Sequence, residues 1–167
     1  LMKTAAAMGF TARDAGKFVE IDLRGPAGAP VLGLVVHGDV QPVEAKAWSI
    51  PPFEGVTKDG FVLGRGAADD KGPLVQALLA MKALERAGPA RTHTIRLLVG
   101  SDEESDNTDM KEYLAANRPP DYSLILDYLF PVVVGEMAWT GLYLDAVPGP
   151  RSNAELPFRI AKLEAGL

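Results

Sequence analysis

Apolar residues fall in short blocks along the chain, with polar or Pro/Gly-rich segments between them. "VLGLVVHGD" (31–39) is a continuous apolar run that closes on polar residues, which predicts a strand buried on both faces. "KFVEIDL" (17–23) alternates and reads as a strand; "THTIRLLVG" (92–100), "YSLILD" (122–127), "PVVVGEM" (131–137) and "TGLYLDAV" (140–147) predict four more. "DDKGPLVQALLAMKALERAG" (69–88) has the helical period, with Leu74, Leu78, Met81 and Leu84 on one face. Asp69 or Asp70 is placed to cap that helix, Pro73 suits its first turn and Gly88 stops it. "NTDMKEYLAAN" (107–117) predicts a shorter helix, capped by Asn107 or Thr108 and stopped by Pro119-Pro120. Residues 1–8 read as the remnant of a helix, and residues 41–60, with Pro42, Pro51, Pro52, Gly55 and Gly60, as a long loop.

Helices alternating with apolar strands predict an α/β layer with a largely parallel sheet. In such sheets the reactive groups gather beyond the carboxyl ends of the strands. His37-Gly38-Asp39 follows the run at 31–36, Ser101-Asp102-Glu103-Glu104 follows 92–100, and Asp127 closes 122–127. Asp69 and Asp70 stand in the loop before the long helix. Four separate elements thus bring carboxylates, and one an imidazole, to one edge. Crowded carboxylates repel and raise each other's pKa, and a cation removes the conflict.

Each piece alone also has a structural reading. His37 could be a satisfied core histidine, Asp69-Asp70 a helix cap, Asp102-Glu103-Glu104 a solvated turn and Asp127 an ordinary strand-end acid. The spacing His-x-Asp puts His37 and Asp39 on one side of an extended segment, where the acid can accept the second imidazole N–H. Gly64-x-Gly66 is no phosphate loop, because "GRGAADDKGP" lacks the Gly-Lys-Ser/Thr ending. Neighbouring Glu103 and Glu104 point to opposite sides of an extended chain, which suits two different roles better than a glycosidase acid pair.

Composition narrows the chemistry. With no cysteine among 167 residues, a metal site must use oxygen and imidazole donors, which suits Zn²⁺, Mn²⁺ or Co²⁺. A net charge of −5 with no basic cluster argues against nucleic acid, and no apolar run reaches membrane-spanning length. The N-terminus lacks the pattern of a secretory signal, so a cytoplasmic location is expected.

"VVHGDV", "GRGAADDKGP" and "GSDEESDNTDM", in this order and spacing, resemble the M20 family of co-catalytic metallopeptidases, over about residues 30 to 140. "DDKGP" with "ILDYLFPVVVGEMAW" is most similar to its dipeptidase and carnosinase branch. The resemblance implies a three-layer zinc-peptidase-like α/β domain with a mainly parallel central sheet over residues 1–147, cut off as a lid domain opens at 148–167. It implies two divalent ions, zinc foremost, and a small peptide as substrate. His37 and Asp127 would bind the first ion, Glu104 the second, and Asp69 both, with a cis peptide after Asp69. Asp39 would orient His37, and Glu103 would be the general base.

The chain departs from the family in two ways. Ser105-Asp106-Asn107 replaces a glycine-containing turn, and the second ion's histidine, which the family carries in a later segment, has no counterpart. His93, the other histidine, precedes its strand at the end away from Glu103 and reads as structural or surface. Three readings stay open: a dipeptide hydrolase, a non-catalytic fragment binding at most one metal, and an amidohydrolase of N-acyl amino acids. A truncated sheet would leave an edge bare, which predicts self-association.

Overall fold

The computed structural model describes residues 1–88, 90–128 and 133–134. Helix α1 (Met2–Ala7) leads into strands β1 (Thr11–Asp14), β2 (Val19–Leu23) and β3 (Val31–His37). A short hairpin, β4 (Val56–Lys58) and β5 (Phe61–Leu63), precedes helix α2 (Lys71–Ala87). Strand β6 (Thr94–Gly100), helix α3 (Thr108–Ala116) and strand β7 (Tyr122–Ile125) follow. No described helix is long and apolar enough to cross a membrane.

The main sheet has the order β1-β2-β6-β3-β7. β3 lies between β6 and β7 and pairs in parallel with both, whereas β2 runs antiparallel to β6 and to β1. Four of the five strands therefore point the same way and only β2 is reversed. The carboxyl ends of β3, β6 and β7 lie along one edge, and the register sets His37 beside Gly100.

Two helices cover one face of the sheet and one covers the other. α2 presents Leu74, Ala77, Leu78 and Met81, at the 3, 4, 7 spacing, to Ile21, Val36, Leu97 and Val99, and α1 adds Ala5 to the same cluster. Burying each of the large side chains is worth roughly 1.5–3 kcal/mol. Neighbouring residues of a strand face opposite sides, so Leu98 leaves that cluster and packs with Phe18 and with Tyr113 of α3. Buried Glu20 is satisfied on this second face: Arg13 donates to it at 2.6 and 2.8 Å and the Tyr113 hydroxyl at 2.6 Å. This helix–sheet–helix sandwich is the expected three-layer arrangement.

Several sequence expectations need correction. Residues 41–60 are not a plain loop, since they hold a 3₁₀ turn at Ala45–Ala47 and the first strand of the hairpin. β1 has no counterpart in the sequence reading. Gly88 ends α2 as expected, at φ +66°. Asp70 holds the N-cap position of α2, but its carboxylate makes no capping bond. At α3 neither Asn107 nor Thr108 caps with its side chain. Instead Asp102 accepts the Thr108 backbone N–H at 3.2 Å, along with the Thr108 hydroxyl. The strands expected at 131–137 and 140–147, and the lid opening at 148–167, lie outside the described residues apart from Val133 and Val134, which are in no strand.

Candidate metal centre

His37 is the last residue of β3 and is 2% exposed. Its ring is held from behind: Nδ1 lies 3.1 Å from the Asp39 backbone oxygen and 3.4 Å from Asp39 Oδ1. Both are acceptors for an Nδ1–H, the arrangement in which Nε2 would offer its lone pair to a cation. Nε2 meets Asp69 Oδ1 at 2.9 Å, Asp127 Oδ2 at 3.6 Å and Glu103 Oε2 at 3.9 Å. One donor atom each from His37, Asp69 and Asp127 lie within 4.8 Å of one another.

Each partner arrives for a local reason. Leu126 N–H donates to the Val35 oxygen, extending the β7 pairing and setting Asp127 level with His37. The Asp69 loop is drawn in at Gly66, whose φ is +82° and where a Cβ would stand 2.5 Å from Val40 Cγ1. The Asp69–Asp70 peptide is cis, as the resemblance implies. Asp70 is fully buried and accepts the His37 backbone N–H at 3.1 Å, tying the start of α2 to the end of β3.

The turn after β6 is fixed twice. Buried Asp109 reaches back from α3 to accept the N–H groups of Ser101 and Asp102 at 2.8 and 3.0 Å. Gly100 must be small here, because a Cβ would lie 2.5 Å from Asp109 Oδ2. The Asp39 carboxylate then accepts the Glu103 N–H at 3.3 Å and the Glu104 N–H at 3.0 Å. Asp39 thus does more than face His37, since it also binds the backbone that carries both glutamates. Asp109 and Gln41, which bonds Glu104, were not singled out in the sequence. Gln41 lies 63 residues from its partner, and Asp109 reaches back seven and eight residues to the turn, so no local motif marks either.

The electrostatics match a cation site. Burial disfavours the His37 imidazolium, yet Asp127, Asp69 and Glu103 outweigh it and raise the pKa. Burial raises Asp127 and Glu103, and neighbouring carboxylates add to both. Burial also pushes Asp70 up to about 6.

Of the six residues singled out, the structure gathers His37, Asp69 and Asp127 into one cluster, with Glu103 beside it and Asp39 behind. The Glu104 carboxylate is bonded to Gln41. His93 is away from the cluster, bonded to Thr92 and 6.5 Å ring to ring from Tyr122. A cavity of about 340 Å³, lined by Pro30, Val31, Arg96, Arg118 and Asp121, opens at the other end of the sheet.

The described residues thus form an α/β sandwich with an imidazole–carboxylate centre beyond its parallel strand ends. The chain belongs to the peptidase family M20/M25/M40, whose model matches residues 33–139. It is 32% identical over 139 residues to a Staphylococcus epidermidis protein named "Putative dipeptidase", covering 83% of this chain and 29% of that protein. A Staphylococcus aureus (strain USA300) protein of the same description is 35% identical over 113 residues, covering 68% of this chain and 24% of that protein. The chain therefore spans less than a third of the length of these relatives. Among solved structures, an M20 family metallo-carboxypeptidase from Sulfolobus solfataricus superposes with a TM-score of 0.65 at 25% identity, over 74% of this chain and 30% of that one. Human carnosine dipeptidase 1 shares the fold, with a TM-score of 0.62 at 21% identity over 77% of this chain and 31% of that one.

Proposed function

We propose that this chain carries the metal-binding and proton-transfer part of a dipeptide hydrolase. The observation that carries the reading is the convergence of His37 Nε2 with Asp69 and Asp127, with Glu103 alongside. The residues fit a divalent ion. Ligand atoms around tetrahedral zinc stand about 3.3 Å apart for bonds near 2.0 Å. The Nε2–carboxylate distances of 2.9 and 3.6 Å bracket that separation. The donors are nitrogen and oxygen without thiol, which suits Zn²⁺ first and also Mn²⁺ or Co²⁺. Asp69, exposed and reaching out from its loop, is the carboxylate best placed to be shared with a second ion, for which Glu104 is the further ligand.

Lewis-acid polarisation of the scissile carbonyl and of water is the chemistry a divalent ion supplies in such a site. Glu103 takes a proton from the attacking water on its carboxylate and delivers it to the leaving amine nitrogen. Its raised pKa, caused first by burial, suits a group that must both accept and return a proton. Asp39 keeps the proton on His37 Nδ1 so that Nε2 stays a ligand. With no second ligand histidine at the cluster among the described residues, the 167-residue chain holds one ion tightly and a second more weakly.

Metal analysis after dialysis, together with a dipeptide hydrolysis assay, tests this. The expected result is bound zinc at a stoichiometry nearer one than two, with slow or no turnover. A folded chain that holds no zinc overturns the site. Full turnover with two tightly held ions overturns the fragment reading.

A further inference from the structure

The loop after β3 and the turn after β6 are joined by five hydrogen bonds. Two run from the turn to the Asp39 carboxylate. The other three run the opposite way, from Gln41 to Glu104. The Gln41 backbone N–H donates to Glu104 Oε1 at 3.2 Å. Its side-chain Nε2 donates to Glu104 Oε2 at 2.8 Å and to the Glu104 backbone oxygen at 2.9 Å. Every partner is an acceptor, so only the amide nitrogen of Gln41 can face Glu104. Gln41 thereby uses all three of its N–H bonds on one residue. Both carboxylate oxygens of Glu104 are held, and the residue cannot swing on its own backbone.

We propose that Gln41 is a positioning residue that fixes the Glu104 carboxylate at the rim of the metal centre, so that the second, weaker ion finds a preset ligand. The inference rests on the reading of Glu104 as that ion's ligand. The Glu104 backbone N–H is bound at 3.0 Å by the Asp39 carboxylate, whose other oxygen lies 3.4 Å from His37 Nδ1, so the held residue stands next to the acid cluster. A free glutamate loses side-chain entropy when it closes on a cation. A carboxylate already bonded through both oxygens has lost most of it. Each oxygen keeps a further lone pair for a cation after accepting one N–H. Partners that orient a ligand in this way typically change metal affinity 10–100-fold when removed.

Zinc titration by calorimetry on the whole chain tests this with Gln41→Met and Glu104→Gln. Methionine keeps the length of the stem and the backbone N–H but removes the side-chain donors. Gln41→Met should weaken the weaker zinc event about tenfold, leave the tight event within twofold, and lower the zinc-free melting temperature by no more than about 4 °C, because the lost bonds are exposed. Glu104→Gln should weaken the same event at least as much, and the double variant should add little. In a ¹H–¹⁵N spectrum the Gln41 side-chain amide pair should shift in Glu104→Gln and on adding zinc to the unaltered chain. If Glu104→Gln loses the weaker event while Gln41→Met keeps it, Gln41 has no positioning role and the ligand assignment stands. If neither variant changes zinc binding, or no second event exists, both the inference and the assignment of Glu104 fall.

Discussion

Replacing Asp39 by asparagine removes one acceptor and one charge while keeping the shape of the side chain. Its two carboxylate oxygens bind the N–H groups of Glu103 and Glu104 at 3.3 and 3.0 Å, and Oδ1 also lies 3.4 Å from His37 Nδ1. Asparagine has one oxygen for these three donors, and its NH₂ group would face an N–H. A hydrogen bond to a charged group contributes about 1.5–3 kcal/mol. Partial exposure of Asp39 lowers the expected loss to about 1–2 kcal/mol. In a chain of this size that corresponds to a fall of roughly 2–8 °C in melting temperature. Zinc affinity should fall further than stability suggests, by about tenfold or more, because the same change loosens the His37 ring and the turn bearing both glutamates. Thermal melting and competition with a chromophoric zinc chelator measure the two effects. An Asp39→Asn chain with unchanged zinc affinity would refute the claim that Asp39 orients the centre, whatever its melting temperature.

Other outcomes follow from the same geometry. Gly100→Ala forces a Cβ to 2.5 Å from Asp109 Oδ2 and 3.1 Å from Phe18, so it should destabilise the chain by about 1–3 kcal/mol in a denaturant titration. Leu78→Ala, at a site 4% exposed in the main cluster, should cost about 2–5 kcal/mol by the same measurement, with zinc affinity little changed at temperatures where the chain stays folded. Burial opposes ionisation of Glu20, but Arg13, Tyr113 and Arg96 outweigh it and hold its pKa below the ordinary value. Its contribution is therefore present above the pKa of the unfolded chain and lost as pH falls through the lower folded value. Glu20→Gln should flatten that part of the stability–pH curve, and a curve of unchanged slope would refute the assignment.

The parts of the fold legible in the sequence are those where burial imposes a period. α2 shows its apolar stripe, β3 shows an unbroken run, and the second half of β6 is apolar where it is buried. β1 was invisible because "TARD" has no fully buried residue and its only strand partner is β2. The hairpin is largely exposed too, yet it carried a usable signal. Asp59-Gly60, with φ of +52° and +82°, joins its strands, and that dipeptide is a strong mark of a two-residue hairpin turn. Candidate site residues were legible because they stand at or just beyond strand ends or, for Asp69, just before a helix. What supports them was not: Asp70 and His37 are 33 residues apart, and Gln41 and Glu104 are 63 apart.

In the proposed assignment, those long-range bonds separate two neighbouring glutamates into different roles. In sequence Glu103 and Glu104 are chemically equal, and both have their backbone N–H groups fixed by the same Asp39 carboxylate. The difference lies in the side chains. Glu104 has both oxygens bonded to Gln41, so its carboxylate keeps a set direction. Glu103 stands 43% exposed beside His37, with no hydrogen-bond donor on its carboxylate among the described residues. Burial and the charges of Asp127 and Glu104 raise its pKa. A group that must pick up a proton and release it within one turnover needs that freedom, because a donor bonded to its oxygens would hold it ionised. Removing the donors from Gln41 should therefore affect cation binding at Glu104 and leave proton transfer at Glu103 in place, whereas Asp39→Asn should disturb both.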